Sequence, residues 1–239
     1  MKSLHWATGP LLLALAACSS QEQFASPDEC FHQLTAGEVE QGWELLFDGS
    51  DLGAWRGYKM DSVPAGWESE NGCLTLVDSQ GDILTRARYA NFELKLEWRI
   101  SEAGNSGIFI RGDESGPGIA HTGMEMQVLD NAGHLDRFWE SHRAGAYYDM
   151  IAPPADTTQP PGYWNQVHII ARGPDIEFWL NGMQTAAFSV GSGEWEALYQ
   201  ASKYHDRPGY GRLSEGHIAL QDHWDKVWYR NIRVLRLPD

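Results

Sequence analysis

Glu125 and Gln127 stand two positions apart in the run Gly123-Met124-Glu125-Met126-Gln127-Val128-Leu129-Asp130, where Met124, Met126 and Val128 fill the alternate places. A carboxylate and an amide on one face of an otherwise apolar strand can hold sugar hydroxyls, and the carboxylate can move a proton. An exposed strand edge is the plainer reading. Gln221 and His223 repeat the spacing near the carboxyl end, and an imidazole there could serve as base or as metal ligand, or be a satisfied core histidine. Glu97 and Arg99 also share a face, either to grip hydroxyls and a carbonyl or to pair with each other. Asn105 and Arg111 are further hydroxyl ligands, although Asn105 also suits a turn. Trp139, His142 and Tyr147 could line a cleft from a long loop, whereas His168 sits in a strand pattern and reads as structural. Glu, Gln and His on neighbouring strands could together hold a divalent ion that polarises a carbonyl. No tight ligand spacing demands one.

These residues need a sheet to carry them. Asn91 to Ile100 alternates strictly, with Phe92, Leu94, Leu96, Trp98 and Ile100 on one face and Glu93, Lys95, Glu97 and Arg99 on the other. That is a strand half buried against a core. Asn105 to Arg111 and Gly123 to Asp130 follow as two more. Asn71-Gly72 between strand-like runs marks a hairpin, because both residues tolerate positive φ. Trp164 to Ala171, Ile176 to Gly182, Gly216 to His223 and Val227 to Val234 complete the set, with an Asn-Gly turn at 181–182. Short strands at regular spacing argue for a sandwich, with one short helix around Glu194 to Ser202. Asn131 to Tyr163 is too long to be a simple connection, and its aromatic and histidine content suits a wall of a site. The chain has no internal repeats and no second domain.

The 239 residues fit one domain, expected over residues 41–239. A formal charge of −15 and a pI near 4.9 disfavour nucleic acid as a partner, since phosphate binding needs basic surface. Eleven tryptophans and nine tyrosines serve a core, and some could stack on sugar rings. Residues 1–17 read as a signal peptide: Lys2, an apolar stretch from Pro10 to Ala17 too short to span a bilayer, then Leu15-Ala16-Ala17-Cys18. This resembles a bacterial lipobox, in which Cys18 becomes the lipidated first residue; a plain secretory signal is the alternative. Residues 18–40 then form a polar tether, and Ser19 resembles an outer-membrane sorting signal. The expected place is the cell envelope, lipid-anchored, in an oxidising compartment. Cys30 and Cys73 could pair there, or Cys73 could simply be buried.

In their order, Trp43 to Gly49, Leu52-Gly53-Ala54-Trp55, Phe92-Glu93-Leu94, Glu97-Trp98-Arg99, Asn105-Ser106-Gly107-Ile108, Glu125 to Asp130, Trp164-Asn165, Asn181-Gly182, Leu220 to His223 and Arg230-Asn231-Ile232 are similar to the 3-keto-disaccharide hydrolase domain family. The resemblance covers residues 40 to 237 or so. It implies an all-β, two-sheet jelly-roll sandwich of the concanavalin A-like lectin/glucanase type, whose concave face holds the site. It also implies a carbohydrate substrate oxidised at carbon 3 of a glucose ring.

A ketone at carbon 3 acidifies the hydrogen on carbon 2 and makes the glycosidic oxygen on carbon 1 a β-leaving group. Such an enzyme needs a base, donors for the enolate and an acid for the departing oxygen. An ordinary glycosidase needs two carboxylates instead, and the Glu125 strand offers one carboxylate followed by an amide. The expectation is therefore a hydrolase or lyase of 3-keto-glucosides, with His223 or Glu125 as base and Glu97 as a further catalytic carboxylate. Arg99, Asn105, Arg111, Gln127, Trp139, Tyr147 and Gln221 would bind substrate. Glu97, Arg99, Glu125, Gln127, Gln221 and His223 should project from one sheet into one concave pocket. A non-catalytic carbohydrate-binding lipoprotein and an ordinary endo-glucanase are the competing functions.

Overall fold

The computed structural model describes residues 30–238. The expected signal peptide, Cys18 and the first part of the expected tether lie outside the described residues. From Cys30 onward the expected tether is part of the fold. Cys30 is disulfide-bonded to Cys73, with Cα atoms 5.1 Å apart. The helix α1 (Ala36–Gln41) is started by Thr35 and Glu38, which bond each other's backbone N–H groups, and stopped by Gly42 at φ 88°. Glu38 then accepts from Arg233 Nε at 2.7 Å, fastening the helix to the last strand. Polar composition concealed this docking, because the contacts are made by an ion pair and a disulfide rather than an apolar face.

The strands are β1 (Glu44–Leu45), β2 (Trp55–Gly57), β3 (Trp67–Glu70), β4 (Cys73–Leu76), β5 (Ile83–Thr85), β6 (Phe92–Ile100), β7 (Asn105–Gly112) and β8 (Met124–Leu129). They continue with β9 (Asn165–Arg172), β10 (Asp175–Leu180), β11 (Met183–Ser189), β12 (His217–Leu220) and β13 (Val227–Arg236). The helix α2 (Gly193–Ala201) falls where the sequence placed it. One sheet has the order β11-β10-β9-β6-β13-β4-β3, with β1 added against β13; the other runs β2-β5-β12-β7-β8. The strand pairs are antiparallel. This is a two-sheet jelly-roll sandwich.

Both Asn-Gly pairs make the expected two-residue turns, with φ of 51° and 78° at Asn71-Gly72 and 50° and 82° at Asn181-Gly182. The alternating residues Phe92, Leu94, Leu96, Trp98 and Ile100 of β6 face the core. Ile108, Ile110, Met124, Met126, Val128, Ile218 and Leu220 meet them from the five-stranded sheet. Alternation then sends the remaining residues of β7, β8 and β12 to the outer face of that sheet. That outer face carries the candidate site.

Candidate functional site

On the outer face, Phe109 lies between Ala219 and Glu125, and Gly107 lies opposite Gln127. Gln221 continues the row beyond the end of β12, donating its N–H to Gly107 O at 2.9 Å. The absent side chain at Gly107 is what makes room: a Cβ there would collide with the Glu125 carboxylate. Above this floor is a cavity of about 180 Å³, lined by Asn105, Glu125, Gln127, Gln221 and His223 below and by Tyr148, Lys203, Tyr204 and Arg207 from the side. Glu125 and Gln127 are almost fully buried, at 4% and 1% exposure.

His223 is held by the residue before it. Asp222 donates its N–H to Asp82 Oδ1 at 2.9 Å. Its own carboxylate accepts the N–H groups of Gln80 and Gly81 through Oδ2, both at 2.7 Å, and that of Trp224 through Oδ1 at 3.0 Å. The turn before β5 and the segment carrying Gln221 and His223 are thus tied together. The edge of the His223 ring meets His134 and Trp224.

The wall comes from the long loop. Residues 145–148 run beside β8 as a short extra rung: Gly145 donates to Gln127 O, Gln127 to Ala146 O, and Tyr148 to Glu125 O. Tyr147 opposes Met126 and so shares its inward face, while Tyr148 stands beside Glu125 on the outer face. Tyr148 donates its hydroxyl to Asp136 and stacks on His142 with ring centroids 4.3 Å apart. His142 in turn meets Asp149 at 2.9 Å, and Asp149 accepts the backbone N–H of Lys203 at 2.6 Å. The Lys203 ammonium rests over the Tyr148 ring, 4.0 Å from its centroid.

Burial dominates the electrostatics. It pushes the Glu125 carboxyl up, to about 8, and the charges of Asp82 and Asp136 push the same way, while the Lys203 cation opposes them. Burial likewise lowers the Lys203 ammonium, against the pull of Glu125 and Asp149. Asp82 is raised to about 6 by burial, with its bond from Asp222 N–H acting against the rise. The cavity therefore holds a carboxyl that gives up its proton less readily than an ordinary carboxylic acid. A divalent ion fits this donor set poorly, since one carboxylate and one imidazole share the cavity with an ammonium. Among the described residues, no group of three or more His, Cys, Asp or Glu side chains is placed to hold a metal.

The structure brings Asn105, Glu125, Gln127, Gln221 and His223 together and leaves the other expected residues elsewhere. Glu97 and Arg99 belong to β6 in the eight-stranded sheet and point away from the sandwich on its far side. Glu97 accepts from Arg230 at 2.8 Å and Asn231 at 2.9 Å, and Arg99 stacks between Trp164 and Trp228. Alternation put both on one face but could not say which sheet β6 would join. Arg111 is buried and donates to the carbonyls of Ala90 and Gly173, bracing the two sheets. Tyr147 is packed in the core against Phe188 and Phe178. Trp139 is 56% exposed and touches His142, one layer behind the wall. His142 supports Tyr148 and does not line the cavity. His168 is structural as read, bonded to Glu93 at 2.9 Å. Tyr148, Lys203, Tyr204 and Arg207 were missed. Only Tyr148 left a signal, as the neighbour of Tyr147 in a run whose alternation admits one of the two.

A family model described as the 3-keto-alpha-glucoside-1,2-lyase-like domain matches residues 42–235. A 3-keto-disaccharide hydrolase of Bacteroides thetaiotaomicron is 30% identical, with 94% of this chain and 97% of that protein covered. Among solved structures, a Parabacteroides distasonis protein assigned as a glycosyl hydrolase is 30% identical. It superposes with a TM-score of 0.81 over 87% of this chain and 99% of its own. A second protein of that organism with the same assignment is 22% identical over 82% and 99% of the two chains, at a TM-score of 0.65, and shares the fold.

Proposed function

This chain belongs to the 3-keto-alpha-glucoside-1,2-lyase-like domain family, and on that premise we propose that it cleaves glycosidic bonds of 3-keto-glucosides by elimination followed by hydration. The observation that carries the reading is the single carboxylate lining the cavity. Glu125 stands there with amides, an imidazole and a lysine, where a retaining or inverting glycosidase needs two carboxyl groups across the bond.

His223 is the base that takes the proton from carbon 2. The electron pair of that C–H bond forms the C2–C3 double bond, and the ketone oxygen takes the negative charge. Collapse of the enolate forms the C1–C2 double bond and expels the glycosidic oxygen, which receives the proton carried by Glu125. Water then adds to carbon 1 and a proton returns to carbon 2, leaving 3-keto-glucose and the freed alcohol. Asn105, Gln127 and Gln221 hold ring hydroxyls and keep the glucose ring fixed through both halves.

The test sets the purified protein on a 3-keto-glucoside and on its unoxidised parent, in heavy water. Cleavage of the keto compound alone, with deuterium on carbon 2 of product sampled early, is the expected result. Equal turnover of the parent, or product that keeps its original hydrogen at carbon 2, overturns it.

A further inference from the structure

Lys203 enters the cavity from outside the sheet, at the end of α2, and its backbone is fixed on every side. Ser202 Oγ donates to Tyr199 O at 2.8 Å and accepts from Tyr204 N at 3.1 Å, and Asp149 holds the Lys203 N–H. Its ammonium is placed by aromatic faces, 4.0 Å from the Tyr148 centroid and 5.2 Å from that of Tyr204. The carboxylates of Asp149 and Asp136 attract it, yet it is in none of the ion pairs among the described residues. This distinction matters. A carboxylate partner would neutralise the ammonium, whereas a ring face attracts the charge and leaves the N–H donors that point away from it available. A solvated surface lysine needs no such seat. A cation with N–H donors available, on the wall of a cavity whose floor is amides and a single buried carboxyl, is built to receive an oxygen that gains negative charge.

We propose that Lys203 is a catalytic residue whose ammonium binds the carbon-3 oxygen of the substrate and stabilises the enolate formed when carbon 2 loses its proton. This rests on the reading of the site as one for 3-keto-glucosides. No bond to nitrogen forms. The negative charge arriving on O3 is held by an ammonium that keeps its protons, and it returns to carbon as the leaving group departs. Tyr148 and Tyr204 act through Lys203 as positioning residues.

The experiment separates proton abstraction from bond cleavage. A 3-keto derivative of 1,5-anhydroglucitol has the acidic hydrogen on carbon 2 but no glycosidic oxygen on carbon 1 to be expelled. In heavy water it reports enolate formation alone, read as deuterium at carbon 2. Wild type, Lys203→Met and Lys203→Arg are compared on this compound and on a 3-keto-glucoside. Lys203→Met should lose both exchange and cleavage by about a hundredfold or more, the scale of one lost oxyanion donor. Lys203→Arg, which keeps a cation and donors, should recover part of both. Lys203→Gln serves in place of the methionine variant if that variant does not fold, as judged by thermal unfolding. Exchange within a few-fold of wild type in the uncharged variant overturns the proposal. So does an adduct trapped on Lys203 by borohydride, which would make the lysine a covalent participant. A wild type inert toward the 3-keto-glucoside instead overturns the functional reading itself, and is told apart because no variant is needed to see it.

Discussion

Glu125 couples chemistry to stability through one proton. Its carboxyl is raised by burial from an ordinary value of 4.5 to about 8, so the folded protein binds more protons than the unfolded chain between those pH values. Stability therefore falls as pH rises through that window, by at most about 1.4 kcal/mol per pH unit, and levels off above it. Glu125→Gln removes the titration, so its thermal stability should change less between pH 5 and 8 than that of the wild type. The same substitution removes the acid for the departing oxygen. Turnover of 3-keto-glucosides with sugar leaving groups should drop about a hundredfold or more, and far less with p-nitrophenol, which leaves without a proton. Equal losses on the two substrates would count against Glu125 as acid. Glu125 and Gln127 were legible because polar side chains in an apolar strand of period two stand out, and their burial makes such placements costly without a purpose; Gln221 and His223 were legible from the same spacing just past a strand. Lys203 was not legible. Nothing in Ala201-Ser202-Lys203-Tyr204 has a period, and its place depends on Asp149 and Tyr148, some fifty residues earlier in the chain.

At the scale of elements, the site depends on segments that are not themselves regular. The strands β7, β8 and β12 lay out a flat row of backbone, and two irregular pieces give it depth: residues 145–148 along β8, and residues 221–224 past β12. The first shows why adjacent tyrosines cannot share a role. A one-residue step along a strand reverses the face, so Tyr147 fills the core and Tyr148 forms the wall. Sequence showed the loop as a wall but not its register, which is set by bonds to Glu125 and Gln127 across the gap. The second piece is held by Asp222, whose carboxylate accepts three backbone N–H groups. Asp222→Asn keeps the shape but exchanges one acceptor oxygen for a donor, so one side of this clamp must open. His223 should then sit less accurately over carbon 2. The expected outcome is a kcat lowered about tenfold to a hundredfold with KM little changed, since Asn105 and Gln127, proposed to hold the ring hydroxyls, are untouched. Steady-state kinetics beside thermal unfolding checks it; an unchanged kcat would show that the clamp does not position the base.

Over the whole molecule, the two sheets carry different loads. The five-stranded sheet presents the cavity, while the outer face of the eight-stranded sheet is laced by Glu97 to Arg230 and by Arg99 between two indoles. The amino-terminal arm joins that second sheet: Cys30 is bonded to Cys73 on β4, next to the Asn71-Gly72 turn, and α1 is tied to β13 through Arg233. Cys18 lies twelve positions before Cys30, a reach of at most about 40 Å when fully extended. A lipid on Cys18 would hold the domain within that reach of a membrane. The disulfide suits such a place, because it persists where the compartment is oxidising. We accordingly expect the wild-type protein to fractionate with membranes and to enter the detergent phase. Cys18→Ala should lose that partitioning and keep its turnover of 3-keto-glucosides, since among the described residues none of those before α1 lines the cavity. Fractionation and metabolic labelling with a fatty acid read the two proteins side by side. A Cys18→Ala protein still processed at the same place and still bound to membranes would leave the lipid anchor without support.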